Sequence, residues 1–281
     1  MSNRLLDDAQ RERFHRDGLL IIPGFYQVER DILPIHRAIH GIIGSILTRQ
    51  GMADARPAFT SQTFDASYQQ LIASDRRLGG EVYDAVKQIP AFNRLVCDER
   101  NERLVCELRG TDMAGLAAGG HGIRIDNPSE DRFKADWHQE YPAQLRSLDG
   151  VVFWSPLVPM TEEIGPVRFC LGSHRDGLVR VHTKDPANPA KTGAYGLMLE
   201  NRDQRVAAYR QIAPLLQPGD LIVVDFLTLH ASGTNRSTRS RWSMQFRYFN
   251  FHDPTGIRIG WRGSYAAGVD FATIHPELIA E

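Results

Sequence analysis

Two imidazoles and a carboxylate stand out in this chain: His138-Gln139-Glu140 and, ninety residues beyond the pair, His230. Together they form the ligand set that grips a non-heme iron(II) ion on one face and leaves the opposite positions open. Side chains at i and i+2 of a strand point the same way, so the spacing predicts that His138 and Glu140 reach one metal from a single strand. His230 follows the apolar run Leu221 to Leu229 and is expected to end a core strand. Further on, Arg241, Ser243, Gln245 and Arg247 alternate with Trp242, Met244, Phe246 and Tyr248, giving one polar and one apolar row. The polar row is either a solvated face or the inner wall of a barrel. On an inner wall, Arg241 would offer a planar fork to a carboxylate, with the Ser243 hydroxyl beside it.

The other histidines lack this support. His15, His36 and His40 fall in helical segments, and His121, His182, His252 and His275 have no partner at ligand spacing. His174 sits in the turn Gly172-Ser173-His174, which suits a structural hydrogen bond better than a ligand, since a ligand needs a rigid element and a fixed tautomer.

The elements that must position these residues change character along the chain. Residues 6–17 read as a short surface helix ending before Gly18, and Leu19–Ile22 as a strand stopped by Pro23-Gly24. Residues 27–50 carry isoleucines at helical spacing, 51–67 are polar and irregular, and a second helical region is expected from Tyr68 to Cys97. From Leu104 onward, short apolar segments are cut by Gly and Pro. Expected strands are Val105–Leu108, Gly122–Ile125, Ala135–Glu140, Gly150–Pro156, Val167–Cys170, Asp220–Leu229 and Arg241–Phe251. Such density implies a sandwich or barrel. No repeat or linker divides the chain. The expected organisation is one domain over 1–281: a mainly helical part (1–103), a barrel core (104–252) with a polar insertion at 184–212, and a tail (253–281). Long insertions of this kind are often lids. The stretch Lys184–Ile212, with the loop Gly51–Ser67, is expected to cover the barrel mouth. Tyr195, Met198 and Tyr209 are placed to meet an organic substrate there, and Lys191, Arg202 and Arg205 an anionic group.

Composition narrows the function classes. A formal net charge of -1 over 281 residues offers no global attraction for nucleic acid or an anionic membrane. No apolar run approaches the roughly 20 residues that span a bilayer. Met1 to Asp8 lacks the apolar stretch of a secretory signal. Cys97, Cys106 and Cys170 form an odd set without metal-type spacing, as expected of reduced thiols in a cytoplasmic protein.

In its motifs and their order the chain resembles the phytanoyl-CoA dioxygenase-like (PhyH) family of iron(II)- and 2-oxoglutarate-dependent oxygenases. The resemblance rests on Phe14-His15-Arg16-Asp17-Gly18, Trp137-His138-Gln139-Glu140, Glu163-Ile164-Gly165-Pro166 through Gly172-Ser173-His174, and Pro218-Gly219-Asp220. His230-Ala231-Ser232-Gly233-Thr234-Asn235 and Arg241-Trp242-Ser243 complete it. It implies a mainly β fold with flanking helices: a double-stranded β-helix (a cupin-like jelly roll) with N-terminal helices packed outside. It also implies His138, Glu140 and His230 as iron ligands, Arg241 with Ser243 as partner of the co-substrate's far carboxylate, and Trp154 near the co-substrate. The family usually has Asp where this chain has Glu140, and a halogenase of this class would have a small residue there. The implied cofactors are Fe(II), 2-oxoglutarate and O2. The implied reaction is oxidation, by default hydroxylation, of an unactivated C–H bond in a small organic molecule. Two other readings stay open: a cupin-like metal-dependent isomerase or hydrolase without 2-oxoglutarate, and a non-enzymatic jelly-roll binding module.

Overall fold

Helices build the first hundred residues, and three of them begin where an aspartate, Asp7, Asp75 or Asp98, supplies a cap. The computed structural model describes residues 4–130, 134–185, 196–264 and 268–280. Helix α1 (Asp8–Asp17) opens with a reciprocal capping box between Asp7 and Gln10 and closes on Gly18 at φ 70°. After β1 (Leu19–Ile22), a π-helical turn at Val28–Ile32 runs into α2 (Leu33–Arg49). The second helical region is three helices, α3 (Tyr68–Ser74), α4 (Arg76–Val86) and α5 (Pro90–Val96), because Asp75 caps a new start and Pro90 begins another.

One expected strand is a helix. Val105–Leu108 lies inside α6 (Glu99–Arg109), where Asp98 caps the first turn and Leu104, Val105 and Leu108 are buried. These three fit one face of a helix, and the polar residues between them hid that period.

Among the described residues, eleven strands are formed. They are β1, β2 (Ala114–Leu116), β3 (Gly122–Asp126), β4 (Gly150–Pro156), β5 (Arg168–Cys170), β6 (Val181–His182), β7 (Met198–Leu199), β8 (Gln211–Ile212), β9 (Leu221–Asp225), β10 (His230–Ala231) and β11 (Arg241–Asn250). The larger sheet runs β1-β9-β4-β11-β2, with β3 also paired to β11. The smaller runs β10-β5-β8, and every pairing in both is antiparallel. This is the expected double-stranded β-helix. Short helices α7 (Tyr141–Gln144), α8 (Arg202–Ala207) and α9 (Pro254–Ile259) lie in its connections.

Strand β11 shows how the helices pack outside. Its apolar row, Trp242, Met244, Phe246 and Tyr248, is buried. Trp242 meets Tyr68 and Phe64, and Phe246 meets Phe92 and Tyr26, all at ring-centroid distances of 5.0–6.4 Å. Phe64 belongs to the loop 51–67, and Asp65 of the same loop accepts from Trp242 Nε1 at 3.0 Å. That loop therefore covers the outer face of β11 rather than the barrel mouth: its two anchors match an apolar ring and an indole N–H.

The insertion is partly structural. Residues 211–212 form β8 of the smaller sheet, and Met198–Leu199 pair with Val181–His182. Tyr195 and Lys191 lie outside the described residues. Tyr209 bonds Asp176, Arg205 bonds the carbonyl of Glu200, and Arg202 pairs with Asp136. The tail returns to the barrel, where Phe271 is buried and His275 meets the Tyr141 hydroxyl at 2.9 Å. Among the described residues, no helix is long and apolar enough to cross a membrane.

Beneath this packing, His36 stacks on Phe64 at 4.0 Å and its Nε2–H donates to the Leu157 carbonyl at 2.9 Å. Burial disfavours the cation and pushes the imidazole down to about 4. The unfolded chain takes up this proton near pH 6.5 and the folded one only near 4, so stability falls as pH drops through that window. The expected loss is about 3 kcal/mol. Urea unfolding at pH 7 and pH 4.5 should show a smaller difference for His36→Gln than for the unaltered protein. Equal differences would remove His36 as the cause.

Candidate metal centre and its cavity

The two histidines are braced by backbone, not by a long strand. His138 and His230 exchange both backbone hydrogen bonds (3.0 and 3.1 Å) in an isolated antiparallel bridge. Paired residues in such a bridge send their side chains the same way, and the rings sit with centroids 4.2 Å apart. The single strand expected at Ala135–Glu140 does not form. Glu140 instead precedes α7, where Pro142 suits a first helical turn, and the Glu140 N–H donates to the Phe226 carbonyl at 2.8 Å. Nor does His230 end the strand that starts at Leu221. Strand β9 stops at Asp225, whose carboxylate caps the Leu227 N–H at 2.8 Å, and the chain crosses to the smaller sheet before His230.

Between the two expected ligands, Gln139 points elsewhere. Its Nε2 donates to the carbonyls of Gly177 and Leu227, both at 2.8 Å, and its Oε1 accepts from Val179 at 2.9 Å. All of its amide groups are used to staple the segment in place.

The donor atoms converge. His138, Glu140 and His230 each offer one atom within 4.8 Å of the others. Nδ1–H of His138 donates to the Asp136 carbonyl at 2.7 Å, and Nδ1–H of His230 to that of Thr228 at 2.9 Å. Both Nε2 lone pairs are thereby left facing the centre, the tautomer a metal ligand needs. Glu140 Oε2 lies 3.6 Å from His230 Nε2 and 4.0 Å from His138 Nε2. Burial raises the Glu140 carboxyl, but the Arg247 guanidinium and the two imidazoles outweigh it and hold the group well below the usual carboxylate range. Burial, and then the neighbouring His230, push His138 down to about 4. At neutral pH the set is thus a carboxylate with an uncharged His138, as the donor chemistry of a divalent metal requires.

These atoms open into a cavity of about 670 Å³. Trp154, Phe169, Gln245 and Arg247 line it, which settles the polar row of β11 as inner wall, with Gln245 opposite Trp154 in register. Arg241 and Ser243 lie on the same row but are buried and are not among the residues that line the cavity. The Arg241 guanidinium is engaged within the protein: its Nη2 lies 2.9 Å from Asp126 Oδ2, and its Nη1 donates to the Gly165 carbonyl. Gly165, at φ 75°, packs against the Gly233–Thr234 backbone, where a side chain would collide with the Thr234 carbonyl. The Ser243 hydroxyl is buried with no partner among the described residues, opposite Arg124 in register.

Several residues reached this cavity without a signal in the sequence. Gln144 comes from α7 and Arg124 and Asp126 from β3, and His121, which has no neighbour at ligand spacing, lines the wall. Leu197, Met198 and Leu199 of the expected insertion do so as well. His174 does not: its Nε2 bonds the His15 carbonyl at 3.0 Å, in the structural role its turn implied.

The model of the phytanoyl-CoA dioxygenase (PhyH) family matches residues 14–243. No protein with a curated description matches the chain in sequence. Among solved structures, EctD from S. alaskensis with 2-oxoglutarate and 5-hydroxyectoine superposes with a TM-score of 0.57 at 15% identity, covering 90% of this chain and 79% of that one. The non-heme alpha-ketoglutarate-dependent epimerase SnoN of nogalamycin biosynthesis gives 0.53 at 16% identity, covering 90% and 87%. EvdO2 from Micromonospora carbonacea var. aurantiaca, complexed with 2-oxoglutarate, gives 0.51 at 16% identity, covering 87% and 91%. At these identities the likeness is one of fold.

Proposed function

The chain belongs to the phytanoyl-CoA dioxygenase family of iron(II)- and 2-oxoglutarate-dependent oxygenases, and from that premise we propose that His138, Glu140 and His230 are its iron ligands. One observation carries the assignment: two imidazoles with their Nδ1 atoms tied to carbonyls converge with a carboxylate oxygen in a cavity wall. We further propose hydroxylation of an unactivated C–H bond in a small organic molecule. Bound iron(II) and 2-oxoglutarate supply the oxidising power, with dioxygen as oxidant and succinate and carbon dioxide as products.

The protein's part is to bind, orient and exclude water. Glu140 contributes the negative charge, and the histidines contribute neutral donors whose orientation is set by the Asp136 and Thr228 carbonyls. Arg241 and Ser243 anchor the far carboxylate of 2-oxoglutarate, the serine through its free hydroxyl and the arginine alongside its bond to Asp126. Trp154 and Phe169 keep the surroundings apolar, and Phe169 also flanks the His230 ring at 6.1 Å. The presence of 2-oxoglutarate in the EctD and EvdO2 structures, which share the fold, supports 2-oxoglutarate as the co-substrate. A metal-dependent isomerase or hydrolase would use the triad but leave the Ser243 hydroxyl without a partner. The helices, sheets and tail share one continuous core, which supports reading the chain as a single catalytic domain. The free cysteines Cys97, Cys106 and Cys170 suit the reducing cytoplasm. The direct test is to screen small molecules for stimulation of 2-oxoglutarate turnover, with succinate formed in step with product. Product without succinate would overturn the reading.

The cavity rim gives a second test. Gly80 on α4 lines the cavity, is exposed, and has nothing within 4 Å of where a Cβ would stand. Gly80→Leu should raise stability by about 0.5–1 kcal/mol, because a helix former replaces glycine without a clash. It should also lower turnover of a substrate large enough to fill the cavity, while succinate formation without substrate stays unchanged. A higher melting temperature with full turnover of such a substrate would place the entrance elsewhere.

A further inference from the structure

The two oxygens of Glu140 are treated differently. Oε1 accepts from Arg247 Nε at 2.9 Å and from Gln144 Nε2 at 3.2 Å. Oε2 is the atom that faces the two imidazoles. Arg247 is itself held on two further sides: Nη1 donates to the Gly120 carbonyl at 3.1 Å and Nη2 to Gln245 Oε1 at 2.8 Å. Its guanidinium therefore has a fixed place beside the carboxylate, on the inner row of β11.

This matters because glutamate is longer than aspartate by a methylene and gains a torsion. An untethered glutamate can swing both oxygens onto one metal ion, as carboxylates do at oxygen-rich sites. A six-coordinate iron with three protein donor atoms keeps three positions, two for 2-oxoglutarate and one for dioxygen. A carboxylate that chelates through both oxygens takes one of them away.

We propose that Arg247 is a positioning residue that holds Oε1 of Glu140 away from the metal, so that glutamate serves as a one-oxygen ligand and the third open position is kept. Gln144 assists from the other side. The inference rests on Glu140 being a ligand, and it explains how a longer acid works where the family usually has Asp. Arg is suited to the task, since its charged fork bonds the carboxylate and two other acceptors at once.

The test uses cobalt(II) in place of iron, because its visible absorption reports coordination number and donor set. In the unaltered protein, cobalt(II) should bind and give a defined spectrum that changes on addition of 2-oxoglutarate. Arg247→Met should still bind cobalt(II), but with an altered spectrum before 2-oxoglutarate is added. Its 2-oxoglutarate affinity should be weaker by roughly tenfold or more, on the scale that losing an outer hydrogen-bond partner costs a metal site in affinity or activity. Arg247→Lys keeps the charge and one donor and should recover part of both signals. In a Glu140→Asp background, where the shorter acid no longer reaches Arg247, Arg247→Met should add no further spectral change. Identical cobalt(II) spectra and 2-oxoglutarate affinities for the unaltered protein and Arg247→Met would overturn the inference while leaving Glu140 a ligand. Failure of the unaltered protein to bind cobalt(II) at all would instead overturn the ligand assignment. If Arg247→Met does not fold, the Lys variant decides: a spectrum and affinity equal to those of the unaltered protein would reduce Arg247 to a charge.

Discussion

Replacing His230 by alanine is expected to weaken metal binding by more than the ~10- to 100-fold that follows loss of an outer hydrogen-bond partner. Turnover should be abolished with the fold intact. The brace between His230 and His138 is made by backbone atoms, which the substitution leaves in place. Only the imidazole goes, and with it one of three donors. Phe169 loses a ring neighbour, but the smaller sheet keeps its pairing through the backbone of β10 and β5. Anaerobic titration with iron(II) and 2-oxoglutarate should give a weak visible charge-transfer band in the unaltered protein and none in His230→Ala. If the unaltered protein shows no such band and instead holds zinc in a closed four-coordinate site, the oxygenase assignment of these residues fails.

Arg241→Ala is expected to raise the dissociation constant of 2-oxoglutarate by more than about tenfold, since losing one partner of a buried charge pair costs about 2–5 kcal/mol. Metal affinity should stay nearly unchanged, because the guanidinium bonds Asp126 and the Gly165 carbonyl rather than any of the three donors. A fall in thermal stability accompanies the change. Burial raises the Asp126 carboxyl, and Arg124 together with Arg241 outweighs that effect, so removing one of the two guanidiniums loosens the arrangement. Arg241→Lys separates the two consequences, retaining a charge for Asp126 but losing the planar fork. Equal 2-oxoglutarate affinity by calorimetry in Arg241→Ala and the unaltered protein would move the anchor to Arg124, which lines the cavity opposite Ser243.

The chemistry was legible in the sequence because it depends on residue type and on periods that survive without tertiary contacts. His138, Glu140 and His230 announce a ligand set, and the two-residue period of Arg241 to Tyr248 divides β11 into a polar and an apolar row. Asp7 marks the first helix start through bonds made within three residues, whereas the caps at Asp75 and Asp98 became evident only in the structure. What the period alone left open was which row faces inward, and the packing of Trp242 and Phe246 against helices closed that question. Tertiary structure also decided how the ligands are carried. His138 is fixed by an exchange of backbone bonds with a residue 92 positions away, and Glu140 by the Phe226 carbonyl, neither of which has a local signature. The same holds for Arg247 and Gln144 on one carboxylate oxygen, and for Asp126 on Arg241. Hydrogen bonds between distant segments depend on where the sheets bring the backbone, so residue types could nominate the site while only the fold assigned each neighbour its partner.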